Sequence, residues 1–112
     1  MGNFLNYHSL RHTTFSEVAS SLILSGTGYD GGTGTEHYQF HFKNGYGASV
    51  IRGPHSYGGP QGLYELAVLR NRQNYWEITY KTPITSDVLG NLEVDDVVKA
   101  LEDIRHLADD YD

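Results

Sequence analysis

The dipeptide Asn44-Gly45 lies between two runs in which apolar and polar residues alternate, and this arrangement constrains the fold most strongly. Asn-Gly in such a setting is typical of a tight β-hairpin turn. A two-residue turn would pair Phe42 with Gly47, whereas a turn with a bulge at Gly45 shifts the register by one residue. We expect the bulged turn, because it gathers the apolar side chains of both strands on one face. The pairs that it predicts are Phe42 with Tyr46, Phe40 with Ala48 and Tyr38 with Val50.

Two segments after this hairpin also have strand patterns. Residues 63–69 are nearly all apolar, as expected of a central strand. Residues 75–82 alternate, which predicts a strand with Trp76, Ile78 and Tyr80 facing the core. We expect the polar face opposite the core to display His37, Gln39, His41, Ser49, Glu65, Glu77 and Thr79.

A helix is predicted before the hairpin. Residues 1–13 are polar with scattered apolar residues, and we interpret them as a lead-in segment. Thr14 and Glu17 then stand at the spacing of a capping box, and Gly26 is placed to end the helix. The apolar residues that recur with helical spacing are Phe15, Val18, Ala19, Leu22 and Ile23.

The C-terminal segment predicts a second helix. Its apolar stripe consists of Val94, Val97, Val98, Leu101, Ile104 and Ala108. Asp95 and Asp96 lie in the first turn, where the helix dipole favours negative charge. The sequence therefore predicts one α+β domain over residues 1–112. Its expected core is a four-stranded, mostly antiparallel sheet with an N-terminal helix and a C-terminal acidic amphipathic helix packed on one face.

The formal net charge of −6 is concentrated at one end of the chain. Residues 93–112 hold eight acids and two bases, whereas the other 92 residues hold six of each. This acidic pole disfavours direct binding to nucleic acid and favours a basic protein surface as a partner. The candidate partner-binding acids are Glu102, Asp103, Asp109 and Asp110.

The segment from Arg52 to Tyr64 is the second candidate binding region. It contains four glycines and two prolines between two predicted strands, and loops on rigid scaffolds commonly carry function. The candidate partner-binding residues in it are Arg52, His55, Tyr57 and Tyr64, because Tyr and Arg are favoured at binding hot spots. The alternative is a purely structural loop whose glycines fit its turns.

No catalytic residue, metal site or cofactor is predicted. The chain has no cysteine, which excludes disulfides and thiolate metal sites. Residues 26–31 match G-x-G-x-x-G, but a predicted helix precedes them and a strand follows, which reverses the dinucleotide-binding order. His37 and His41 lie roughly 13 Å apart along a strand, too far to share a metal. His12-Thr13-Thr14 resembles half of a paired phosphodiesterase signature, and the chain has no second copy.

Residues 44–69, NGYGASVIRGPHSYGGPQGLYELAVL, resemble a segment of small proteins encoded by bacteriophages and prophages. The resemblance extends to Ile78-Thr79-Tyr80 and to the V-x-x-V-V-x-x-L pattern of the last helix. It implies a small accessory gene product in a bacterial cytoplasm and carries no established activity. Such products are often inhibitors of host defence or of host enzymes.

We therefore expect a non-enzymatic phage accessory protein that binds a host or phage protein. An anti-CRISPR-like inhibitor of host defence is the sharpest version of this expectation. One alternative is a small-ligand or nucleotide-binding protein that uses the glycine-rich loops with Arg52, His55 and Tyr57. Another is a phage structural or assembly component that forms a homo-oligomer through an open strand edge. No apolar run reaches the ~20 residues that cross a bilayer, so no membrane partner is expected.

Overall fold

A computed structural model describes residues 20–27 and 34–108 of the protein. These residues form six strands and one α-helix, with a short 3₁₀ turn between the third and fourth strands. The elements are β1 (Leu22–Thr27), β2 (Glu36–His41), β3 (Tyr46–Arg52), the 3₁₀ turn (Gly59–Gln61), β4 (Tyr64–Asn71), β5 (Trp76–Ile78), β6 (Leu89–Leu92) and α1 (Val94–Arg105). No helix among the described residues is long and apolar enough to cross a membrane.

The strands form one antiparallel sheet in the order β1-β2-β3-β4-β5, and β6 also pairs with β4. Strands β5 and β6 share the same edge of β4, because β5 pairs with its end and β6 with its beginning. The predicted α+β class and antiparallel sheet are therefore confirmed. The predicted number of four strands is wrong, because β1 and β6 belong to the sheet as well.

The bulged register of the hairpin is confirmed. Phe40 pairs with Ala48 and Tyr38 with Val50, and the Phe42 N–H donates to the Tyr46 carbonyl over 2.8 Å. The bulge needs a residue in the left-handed region at Gly45, whose φ is +89°. Tyr38, Phe40, Ala48 and Val50 consequently point to the same face and belong to the core.

The predicted N-terminal helix is wrong from Leu22 onward. Leu22–Thr27 forms β1 and pairs with β2, from Leu22 opposite Phe40 to Thr27 opposite Glu36. The helical spacing of Leu22 and Ile23 is overridden because the open edge of β2 offers backbone hydrogen-bond partners. A bulge after Leu22 leaves Ile23 exposed. The rest of the predicted helix and the lead-in, residues 1–19, lie outside the described residues.

The helix α1 packs on one face of the sheet, as predicted, and contacts β3, β4 and β6. We call the face that it covers the inner face and the opposite one the outer face. The helix begins with a reciprocal capping box between Glu93 and Asp96. The core between helix and sheet is formed by Tyr38, Phe40, Tyr46, Val50, Tyr64, Leu66, Val68, Val97, Val98, Leu101 and Ile104.

The end of α1 is tied to the β2–β3 turn by Asn44. Its side-chain amide nitrogen lies 2.9, 3.1 and 3.0 Å from the carbonyl oxygens of Ile104, Arg105 and Leu107. Its Oδ1 accepts the N–H of Tyr46 over 3.0 Å. The last carbonyls of a helix have no partner within the helix, so Asn44 serves as a C-terminal cap supplied from about 60 residues away.

The predicted orientation of residues 75–82 is wrong. Ile78 pairs with Leu69 and Trp76 with Asn71, which places Trp76 and Ile78 on the outer face. Thr79 is buried instead and donates its N–H to the carbonyl of Val68. Alternation along β4 sets this result, because Leu66 and Val68 face the helix and their odd-numbered neighbours face outward. Glu77 and Thr79 therefore lie on the inner face and not on the outer one.

Candidate functional site

An ion pair between Glu36 and Arg52 lies at one end of the inner face. Their side chains are only 8% and 14% exposed, and the Arg52 Nε donates to the Glu36 Oε1. The guanidinium also donates from Nη1 to the Gly62 carbonyl over 3.2 Å and lies 4.7 Å from the centre of the Tyr64 ring. The Tyr38 hydroxyl donates to the other Glu36 oxygen over 3.0 Å. The Glu36 carboxylate thus joins β2 to β3, and the Arg52 guanidinium extends the contacts to Tyr64 at the beginning of β4.

The electrostatics of this corner fix its protonation states. Burial, together with the negative charge of Glu36, raises the pKa of the Tyr38 hydroxyl well above its ordinary value. Burial is the largest single effect and lowers the pKa of Arg52, but the hydrogen bond to Glu36 and the charge interactions with Tyr64, Glu36 and Tyr38 together outweigh it and raise this pKa. Tyr38 therefore remains a hydrogen-bond donor at neutral pH, and Arg52 remains charged. The charges of Glu36 and Arg52 therefore stabilise each other within the protein.

An open depression of about 510 Å³ adjoins the ion pair. Its lining includes Glu36, Arg52, Gly53, Pro54 and Pro60. Of the four loop residues proposed from the sequence, Arg52 is the one that lines it. Two charged side chains and the backbone of the glycine-proline loop therefore line the same open space.

The other loop candidates are divided between the core and the surface. Tyr64 is fully buried on the inner face, whereas His55 and Tyr57 are exposed, Tyr57 to 64%. The loop is docked on the sheet, because the Tyr57 N–H donates to the Glu65 carboxylate over 2.9 Å. Close packing explains its glycines: a β-carbon at Gly59 would overlap the carbonyl oxygen of Gly53. The loop does not bring the four predicted residues together.

The candidate acids of α1 form ion pairs within the helix. Glu102 accepts from Arg105, with 2.7 Å between Oε2 and Nη2, and Asp103 accepts from Lys99 over 2.9 Å. The Asp103 side chain is 46% exposed and that of Glu102 is 21% exposed. Asp109 and Asp110 lie outside the described residues. The described part of the acidic pole is therefore a helix surface partly neutralised by its own bases.

A group of exposed aromatic and aliphatic side chains surrounds β5. Tyr75, Ile78 and Tyr80 are 58%, 44% and 50% exposed. Trp76 lies on the outer face with Ile78 and stacks on His41, with 3.8 Å between the ring centres and 10° between the planes. We call Trp76, Ile78 and Tyr80 the outer aromatic patch; Tyr75 alternates with Trp76 and lies on the side of Glu77 and Thr79. The patch presents large side chains held by the sheet rather than by a loop.

The patch adjoins a hydrogen-bonded polar row on β2 and β3. The Gln39 amide lies 2.8 Å from the Nε2 of His41, and the Nε2 of His37 lies 2.9 Å from the Ser49 hydroxyl. Burial lowers the pKa of His41, which favours a neutral ring that accepts from Gln39. The described residues contain no cluster of three or more His, Cys, Asp or Glu side chains that could hold a metal.

Sequence reasoning assigned Trp76, Ile78 and Tyr80 to the core. The alternation of residues 75–80 shows which side chains share a face, but it does not show which face is covered. Tyr75 and Thr79 were predicted on the opposite face, and their residue types did not indicate which of the two faces the helix covers. The Glu36–Arg52 pair had a usable signal, because the bulged register that pairs Tyr38 with Val50 also places Glu36 opposite Arg52.

Comparison with known proteins gave no relative: no family model, no curated protein and no solved structure matches this chain.

Proposed function

We propose that this is a non-enzymatic interaction protein that binds another protein through the outer aromatic patch. The observation that carries the proposal is the exposure of Ile78 and Tyr80 on the side of the sheet that carries Trp76. Contiguous exposed apolar groups of this kind mark interaction sites in soluble domains. Tyrosine and tryptophan are also the residues most enriched at binding hot spots.

The patch is well suited to binding because little of it has to be ordered. Trp76 and Ile78 belong to a strand paired with β4, and the Trp76 ring already rests on His41. Association costs about 0.5–1.5 kcal/mol for each flexible side chain that it immobilises. Rigid aromatic side chains on a strand avoid much of that cost. The polar row beside them supplies the hydrogen-bonding rim that such interfaces have.

A host or phage protein is the partner that we propose. The resemblance of residues 44–69 to phage-encoded proteins supports this choice. The most specific form of this proposal is that the protein is an anti-CRISPR-like inhibitor that occupies a surface of a host defence complex. The patch lies on the outer face and the acidic helix on the inner face, so an apolar contact and a charge contact would engage different surfaces.

The test is affinity capture from a bacterial lysate with matched variants. Ile78→Ser and Tyr80→Ser remove apolar area from the patch, whereas Tyr57→Ser removes a more exposed tyrosine outside it. All three side chains are exposed, so folding should change little. We expect the patch variants to lose at least tenfold in recovery of a specific partner, and Tyr57→Ser to retain it. Equal recovery with all variants would refute the assignment of the patch.

A second candidate function is small-ligand binding in the depression beside Glu36 and Arg52. Its support is the open volume of about 510 Å³ lined by both charged groups, within the range of known ligand sites. The test is an NMR titration with a set of common nucleotides. Saturable shifts confined to the amides of Gly34, Gly53 and Gly59 would support this function, and their absence would exclude nucleotides as ligands of the depression.

A further inference from the structure

A groove lies between α1 and the segment that precedes β6, on the inner side of the sheet. Its volume is about 290 Å³. The floor is apolar, with Ile84 and Leu89 partly buried against the core and Ala100 only 7% exposed. Its rim carries the charged side chains Asp96, Lys99 and Asp103. The groove is thus apolar at the bottom and predominantly acidic at the edge.

The volume limits what this groove can hold. Pockets for small molecules and cofactors span roughly 300–1,000 Å³, so the groove lies at the lower limit of that range. It has room for one or two side chains rather than for a cofactor. An apolar floor in a groove of this size is suited to a single aliphatic side chain presented by another chain.

Charge determines the chemistry of the occupant. Residues 93–108 carry five acids and two bases, and two of the acids lie on the rim. Lys99 is bound to Asp103 at 2.9 Å, but the two side chains are 74% and 46% exposed. Exposed ion pairs of this kind contribute about 0–1 kcal/mol, so an incoming cation can replace Lys99 at little cost. The rim therefore favours a positively charged occupant.

We propose that the groove binds an extended peptide segment of a partner protein that carries an aliphatic side chain flanked by lysine or arginine. The aliphatic side chain packs on Ile84, Leu89 and Ala100. The flanking cations lie against Asp96 and Asp103. The groove is separate from the outer aromatic patch and the proposal does not depend on it, because the two surfaces lie on opposite faces of the sheet.

The test is a ¹⁵N NMR titration of the full chain with short synthetic peptides. The probe has a leucine between two lysines, and its two controls replace the lysines by glutamate or the leucine by serine. We expect saturable shifts at the amides of Ile84, Leu89 and Ala100 with the probe and none with either control. Equal binding of the serine peptide, or shifts elsewhere only, would overturn the proposal.

Substitutions of Asp103 and Lys99 should change the affinity for the peptide in opposite directions. Asp103→Asn should weaken binding of the lysine-leucine peptide about threefold, and Lys99→Gln should strengthen it by a similar factor. The matched control is Asp95→Asn, which removes an exposed acid of the same helix that is not part of the groove lining. We expect no change with this control. An equal loss with Asp95→Asn would show diffuse attraction to the helix and would contradict a groove site.

Discussion

Replacing Asn44 by alanine or by aspartate tests how the sheet and the helix are joined. The side-chain amide has two N–H donors directed at the carbonyls of Ile104, Arg105 and Leu107, and its oxygen accepts the Tyr46 N–H. Each such hydrogen bond contributes about 1 kcal/mol net. Alanine removes all of them, and water replaces part at the helix end. We expect Asn44→Ala to lower the free energy of unfolding by about 2 kcal/mol.

Aspartate distinguishes the helix cap from a local turn effect. Asn44→Asp keeps the oxygen that accepts from Tyr46, and aspartate is a good turn residue. It loses both donors, however, and places a negative charge at the helix C-terminus, which costs a further ~0.3–1 kcal/mol. We therefore expect Asn44→Asp to be destabilised by about 2–3 kcal/mol, at least as much as Asn44→Ala.

The assay is urea unfolding at pH 7 followed by far-UV circular dichroism, with thermal unfolding in parallel. A loss of about 2 kcal/mol corresponds to a decrease in Tm of roughly 8–16 °C for a domain of this size. An Asn44→Asp protein within about 0.5 kcal/mol of the wild type would refute the reasoning, because it would show that Asn44 acts only within its turn.

Three further outcomes follow from the buried contacts. Arg52→Met leaves the Glu36 carboxylate buried without its ion-pair partner, so urea unfolding should show a free energy of unfolding lower by about 3–5 kcal/mol. Gly59→Ala should lower the free energy of unfolding by more than about 2 kcal/mol, because the added β-carbon overlaps a backbone carbonyl. Gly62→Ala has open space around the β-carbon but a φ of +82°, so in the same assay it should lower this free energy by about 1 kcal/mol. Burial lowers the pKa of His41, so the unfolded chain takes up this proton first as the pH falls below about 6.5. The free energy of unfolding therefore decreases as the pH falls from 7 to 5, and the urea midpoint decreases with it. In the His41→Phe variant this decrease should be smaller, because the residue no longer titrates.

The parts of the fold predictable from the sequence are those specified locally. The Asn44-Gly45 turn with its alternating flanks predicted the hairpin and its register, and the apolar stripe after Glu93 predicted α1. Both patterns select one structure by themselves, because a register slip or a rotated helix would expose apolar side chains. The same register placed Glu36 opposite Arg52, although only the fold shows that both side chains point inward.

The parts that could not be predicted depend on distant segments. Strand β1 exists because β2 has an open edge, and β6 is a four-residue segment with no alternating pattern of its own. The orientation of β5 is set by its pairing with β4, so the face of Trp76 and Ile78 could not be chosen from alternation alone. The outer aromatic patch and the helix groove both result from such pairings and therefore emerge only from the folded structure.

Hydroxyl-radical footprinting of the complex with the captured partner tests the central claim most directly. It compares the modification of each side chain in the free protein with that in the complex. The account predicts strong protection of Trp76, Ile78 and Tyr80, with Tyr57 as reactive as in the free protein. Unchanged reactivity at all three patch residues, in a complex that protects other surfaces, would contradict the proposal that the outer aromatic patch is the binding site.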